Sequence, residues 1–113
     1  MHEFSMALEV INLAKREAEK NKVTSIQEIT IEVGDLSGVE ADAFESALDL
    51  LKRDSILESA SINILRTPGR GRCNACDLEF EMNQRTATCP ICHCFPSEIS
   101  EGQQFRVVSL LVE

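Results

Sequence analysis

The sequence holds two Cys-x-x-Cys pairs, Cys73-Asn-Ala-Cys76 and Cys89-Pro-Ile-Cys92, with twelve residues between them. A chain that brings these pairs together must build a small unit around a metal, and that constrains its fold more than any periodicity does. Each pair forms a tight knuckle presenting two sulfurs to one ion. Two knuckles make the tetrahedral sulfur set that zinc prefers. Four protein ligands leave no position for water, so such a site is structural, and it supplies a folding nucleus for a stretch that reads as loop. A redox dithiol is the competing use of one pair, but it sits at a strand–helix junction and does not account for two. Iron fits the same cage, so a rubredoxin-like electron carrier stays open at this point.

The second pair runs on into "CPICHCF". His93 suits a left-handed backbone after a knuckle, for which histidine is enriched, and Cys94 reads as a small apolar residue. The sharper alternative brings His93 or Cys94 into a metal sphere in one functional state.

Charge and length narrow the function classes. The 113 residues suit one domain, or a domain carrying a small second module, and the formal net charge is −8. Four thiolates around a divalent ion would add about −2 more. A surface built to follow phosphate backbones is basic, so this balance argues against nucleic acid. There is no basic stretch leading into an apolar run at the start, and no segment approaches the ~18 apolar residues of a membrane helix. The expectation is a cytoplasmic protein with no membrane span, where five cysteines serve as metal ligands or reactive thiols rather than disulfides.

Along the chain, residues 4–21 read as an amphipathic helix whose apolar face is Phe4, Leu8, Ile11, Ala14 and Ala18. "SIQEITIEVG" alternates Ile29, Ile31 and Val33 with polar residues, as a half-buried strand does, and stops at Gly34. Ser37 and Glu40 have capping-box spacing before a second helix over about 39–53, with Phe44, Ala47, Leu48 and Leu51 on its apolar face. "ASINILRT" gives a second strand around 61–66. Residues 69–98, which hold all the cysteines, show little periodicity, and the strand pattern returns from Gln103 in "QFRVVSLLVE". The Cys-rich stretch is therefore inserted between two strands of one sheet. The fold class expected is α+β: a small, mainly antiparallel three-stranded sheet with two helices, carrying an inserted zinc-ribbon-like module. The domains expected are 1–68 with 99–113, and 69–98.

The chain opens "MHEFSM". A free α-amine has an ordinary pKa near 8, and the imidazole and amide nitrogens of His2 can close small chelate rings with it. Nickel(II) and copper(II) favour square-planar nitrogen sets of this kind. Such a site needs Met1 retained with nothing before it. Taken alone, an N-terminal histidine is more often an incidental surface residue.

The whole pattern resembles the HypA/HybF family, the nickel metallochaperones of NiFe-hydrogenase maturation. The resemblance is carried by MHEFS, "EVGDLSGVEADAF", "ASINI", both CxxC pairs and the closing "RVVSLLVE", over essentially the whole chain. It implies His2 as the principal ligand for Ni(II), with backbone nitrogens around Met1, His2 and Glu3 completing the plane. It implies Cys73, Cys76, Cys89 and Cys92 as ligands for structural Zn(II). The Glu3 side chain looks partner-facing or supportive of the site, or else is a plain acid at a helix start. Glu40 falls where some members place an acid near nickel, although its simpler role is in the capping box. His93 stands where the family commonly has glycine, which makes it a candidate accessory ligand.

The resemblance further implies no catalysis, a separate GTPase as nickel-insertion partner, and a hydrogenase large-subunit precursor as recipient. Urease accessory proteins are partners in some relatives. The chain has no phosphate-binding loop of its own. The alternative is a zinc-ribbon nucleic-acid-binding or regulatory module, with Arg66, Arg70, Arg72 and Arg85 as a local basic face. The sequence leaves monomer and homodimer open, and an apolar last strand at a sheet edge could pair with its copy.

Overall fold

The computed structural model describes residues 2–112. The elements are α1 (His2–Lys20), β1 (Ile26–Gly34), α2 (Ala41–Leu51), β2 (Ser61–Thr67), β3 (Gly69–Cys73), β4 (Leu78–Met82), β5 (Glu98–Glu101) and β6 (Phe105–Val112). They form two three-stranded sheets, ordered β2-β1-β6 and β4-β3-β5. The class is α+β, as expected. The chain divides into two compact units, one of Met1–Ile31, Glu40–Leu65 and Arg106–Glu113, the other of Glu32–Val39 and Arg66–Phe105.

In the first unit α1 packs against α2. Helix α1 buries Ala7, Val10, Ile11, Ala14 and Ala18, α2 buries Phe44, Ala47 and Leu48, and β1 adds Ile26, Ile29 and Ile31. The three- and four-residue spacing of the helical positions produces these faces. The face expected on α1 needs correcting at its start: Phe4 and Leu8 are 42% and 49% exposed. The buried stripe starts at Ala7, so the first turn overhangs the core. Helix α1 ends in a Schellman motif, with Val23 N–H on the Ala18 carbonyl and Lys22 N–H on that of Glu19, and Lys22 left-handed at φ 59°. The helix thus starts two residues earlier than expected and ends one residue sooner.

Helix α2 begins at Ala41 rather than 39, and its N-cap is Glu40, whose carboxylate accepts the Ala43 N–H at 2.7 Å. The capping box anticipated from Ser37 does not form. The Ser37 hydroxyl instead accepts the Val39 N–H at 3.2 Å, closing a local turn around Gly38, whose φ is positive.

In the second unit, residues expected to lack periodicity form an antiparallel sheet. The register runs from Gly69 opposite Met82 to Cys73 opposite Leu78, and β5 lies on the other side of β3. In β4, "LEFEM" alternates apolar with acidic residues, and Phe80 and Met82 are buried. In β3, "GRGRC" buries Gly69, Gly71 and Cys73, so its inward face carries almost no side chain. A Cβ at Gly71 would overlap the Met82 sulfur, so a side chain there would force the buried Met82 to shift. The unit's core is Leu36, Cys73, Phe80, Met82 and Cys89, with Leu78, Ala87 and Ile99 packed around it.

A candidate metal centre and the chain's N-terminus

The core of the second unit is also its most chemically loaded point. Cys73 ends β3, Cys76 lies in the turn to β4, and Cys89 and Cys92 come from the long loop before β5. The four sulfurs all lie within 4.8 Å of one another, and Cys73 Sγ and Cys92 Sγ are 3.7 Å apart. A tetrahedron with metal–sulfur bonds of about 2.3 Å has edges of about 3.8 Å. Cys73 and Cys89 are buried and Cys76 and Cys92 half-buried. An all-sulfur, partly buried donor set, close enough to gather on one ion, fits zinc.

Backbone geometry makes both knuckles possible. The residue after each second cysteine is left-handed: Asp77 at φ 52° and His93 at φ 63°. In the second knuckle Ile91 N–H points at Cys89 Sγ at 3.4 Å, His93 N–H donates to the Cys89 carbonyl at 2.9 Å, and Cys89 N–H to the Cys94 carbonyl at 2.9 Å. The Ile91 amide aims its positive end at the Cys89 sulfur, while the two amide–carbonyl bonds hold the turn around it. The backbone N–H of Cys92, then that of Ile91, draw the Cys89 thiol down to about 7. Burial pushes Cys76 up to about 12, reinforced by the thiols of Cys92, Cys73 and Cys89. Four sulfurs this close cannot all ionise without a cation to hold them.

The loop is fastened from outside by Ser97, whose N–H donates to Arg72 O at 2.8 Å and whose Oγ accepts Asn74 N–H at 3.0 Å. Arg85 donates to the Leu36 carbonyl at 2.7 Å. Arg70 pairs with Glu79 and Arg72 with Asp77. Three of the four arginines of the supposed basic face are thus engaged within the unit itself.

The remaining candidates fall in the first unit, apart from His93, which sits exposed beside Cys92. Met1 lies outside the described residues. His2 is the exposed first residue of α1, and its carbonyl accepts the Ser5 hydroxyl at 2.9 Å. His2 and Glu3 lie in the first turn of α1, where backbone N–H groups have no intrahelical acceptor. Glu3 and Glu40 come together: Glu3 Oε2 accepts Glu40 N–H at 3.0 Å. This bond, chiefly, holds the Glu3 carboxyl below its ordinary value. Spacing alone does not reveal this contact, nor the roles of Ile91, Asp77 and Ser97. The left-handed residues after the knuckles were foreseeable at His93 and missed at Asp77, although aspartate also tolerates that region.

The profile of the family described as "Hydrogenase/urease nickel incorporation, metallochaperone, hypA" matches residues 1–112. A hydrogenase maturation factor HypA of Geobacter metallireducens is 37% identical over 113 residues, covering all of both chains. Another, from Francisella philomiragia, is 35% identical over 98% of each. The solution structure of the Ni metallochaperone HypA from Helicobacter pylori superimposes with a TM-score of 0.65 at 25% identity, covering 97% of this chain and 96% of that one. A second HypA solution structure gives 0.67 at 26%, covering 100% and 97%.

Proposed function

The chain belongs to the HypA family of nickel-incorporation metallochaperones, which are not enzymes, and from that premise we propose that it carries Ni(II) on its N-terminus to a NiFe-hydrogenase precursor. The cargo is held by the His2 imidazole with backbone nitrogens of Met1, His2 and Glu3. The observation that carries this reading is the position of His2 at the exposed start of α1. Amide nitrogens there can bind a metal without breaking a helical hydrogen bond. A site with one side-chain ligand at a chain end also lets an incoming protein displace ligands stepwise.

Cys73, Cys76, Cys89 and Cys92 hold the resident zinc, whose role is to fold and stiffen the second unit. A closed sulfur tetrad retains its ion, whereas an exposed nitrogen set releases it, so the two sites divide storage of shape from transport. In this reading the nickel domain is 1–68 with 99–113 and the zinc module 69–98. Glu40 and His93 are accessory candidates. A separate GTPase assists insertion, urease accessory proteins are further partners, and the setting is the cytoplasm. No described helix is long and apolar enough to cross a membrane. The internal pairing of Arg70, Arg72 and Arg85, with the net charge of −8, weighs against the nucleic-acid alternative.

Native mass spectrometry of the untagged protein tests the proposal, before and after one equivalent of Ni(II). One zinc is expected throughout, with one nickel in the wild type. Nickel should be lost in His2→Ala and in a variant with one residue added before Met1. Equal nickel binding by His2→Ala would refute the N-terminal site, and iron in place of zinc would reopen electron transfer.

A further inference from the structure

The starts of the two helices are joined by a pair of carboxylates used in different ways. Glu40 caps α2 with its side chain, accepting Ala43 N–H at 2.7 Å. As an N-cap residue in extended conformation, φ −81° and ψ 114°, its own N–H lies outside the α2 hydrogen-bond ladder. Glu3, 37 positions earlier, accepts that N–H at 3.0 Å. Helix α2 is a firm reference because Phe44 and Leu48 are fully buried. The start of α1 is not: its first buried side chain is Ala7, and Phe4 is exposed. A helix end that overhangs its core frays unless something ties it.

We propose that Glu3 is a positioning residue for the nickel site, its carboxylate latching the first turn of α1, and so His2, to the N-cap of α2. The proposal rests on the reading of His2 as nickel anchor. With the latch closed, the first turn is ordered before the metal arrives. With it open, Ni(II) must order those residues on binding, and part of its affinity is spent on that. The carboxylate acts through the Glu40 amide rather than as a ligand, which leaves a coordination position on the cargo free for the recipient protein.

The test compares wild type, Glu3→Gln, Glu3→Ala and His2→Ala, untagged and zinc-loaded. It uses Ni(II) affinity by competition with a chromogenic chelator, and hydrogen exchange at the Glu40 amide without nickel. Glutamine keeps an acceptor oxygen and alanine does not. Glu3→Ala should bind Ni(II) about tenfold more weakly, the factor expected for one hydrogen bond to a charged acceptor, and its Glu40 amide should exchange faster. Glu3→Gln should stay within about threefold of wild type, with slow exchange retained. Wild-type affinity in Glu3→Ala would overturn the proposal. So would a loss in Glu3→Gln as large as in Glu3→Ala, because charge or ligation rather than the hydrogen bond would then govern. Wild-type affinity in His2→Ala would instead sink the nickel reading beneath it, and the metal-free exchange data would still report whether the latch exists.

Discussion

Gly34→Ala is the substitution whose effect follows most directly from the packing of the second unit. Gly34 ends β1, is buried, and donates its N–H to Gln104 O at 2.7 Å. A Cβ there would fall on the carbonyl of Gly102, well inside the 3.0 Å that real Cβ contacts essentially never cross, and 3.1 Å from Gln104 N. Gly102 cannot yield, because its own missing Cβ would be 2.5 Å from Gly69 Cα and 2.9 Å from Pro68 O. Three glycines therefore bring three backbone segments together, and no rotamer change relieves the clash. Separating them strains two hydrogen bonds, Gly34 to Gln104 and Leu36 N–H to Gly102 O at 2.8 Å. Losing both costs about 1–3 kcal/mol and overpacking about 1–3 kcal/mol more. The stiffer unfolded chain returns about 0.4–1 kcal/mol, which leaves a net loss of about 1–5.5 kcal/mol.

Leu36 belongs to the same buried cluster as Cys73 and Cys89, so the disturbance should reach the metal centre. Urea unfolding of the zinc-loaded protein reads the stability loss, and zinc release to a chromogenic chelator should become faster. Gly38→Ala is the control: no atom lies within 4 Å of its Cβ, and only its φ of +84° opposes a side chain, at a cost of about 1–2 kcal/mol. A Gly34→Ala protein within about 1 kcal/mol of wild type, with unchanged zinc release, would refute the close-approach argument, since a single methyl that is accommodated without loss leaves no overpacking term.

Two further outcomes concern the tetrad. Cys89, drawn down to about 7 by the N–H groups of Cys92 and Ile91, is already a thiolate above that pH in the metal-free folded unit. Below it the metal must displace one more proton, so the slope of log zinc affinity against pH should steepen by about one proton as pH falls through about 7. Chelator competition between pH 6 and 8 reads this, and an unchanged slope would show that Cys89 does not titrate in that range. Separately, His93→Gly removes a side chain from a left-handed position, φ 63°, and should stabilise the protein by about 1 kcal/mol while keeping one zinc. Loss of zinc by that variant, seen in native mass spectra, would make the imidazole a ligand rather than a tenant of the turn.

The helices and the first strand were readable because their burial follows period. Ile29 and Ile31 on β1, and Phe44, Ala47 and Leu48 on α2, lie where alternation and helical spacing put them. The misses have physical causes. Phe4 and Leu8 continue an apolar spacing beyond the end of the core, and sequence does not say how far a core extends. In "GRGRC" the buried positions are glycines, which any hydropathy pattern scores as nothing although they are the face that packs. "LEFEM", by contrast, alternates openly and belonged among the strands from the start. Around the cysteines, spacing was enough to gather four sulfurs but silent on the amides that polarise them, because an N–H donor belongs to the backbone and has no letter.

The same distinction separates the two proposed metal sites. A tetrad of thiolates is written in side chains, and its enclosure by Leu36, Phe80 and Met82 opposes exchange, since a leaving ion would expose unpaired charge in an apolar core. A site made from one imidazole and backbone nitrogen at the start of α1 is almost invisible as composition. It depends on chain position and on what holds that position still. That makes the Glu3–Glu40 bond more consequential than its exposure suggests: where ligands come from the backbone, order in the backbone is the affinity. A terminal site of that kind can be tuned over about an order of magnitude by one hydrogen bond, without changing a ligand. A carrier that must bind its cargo and also give it up has use for that range.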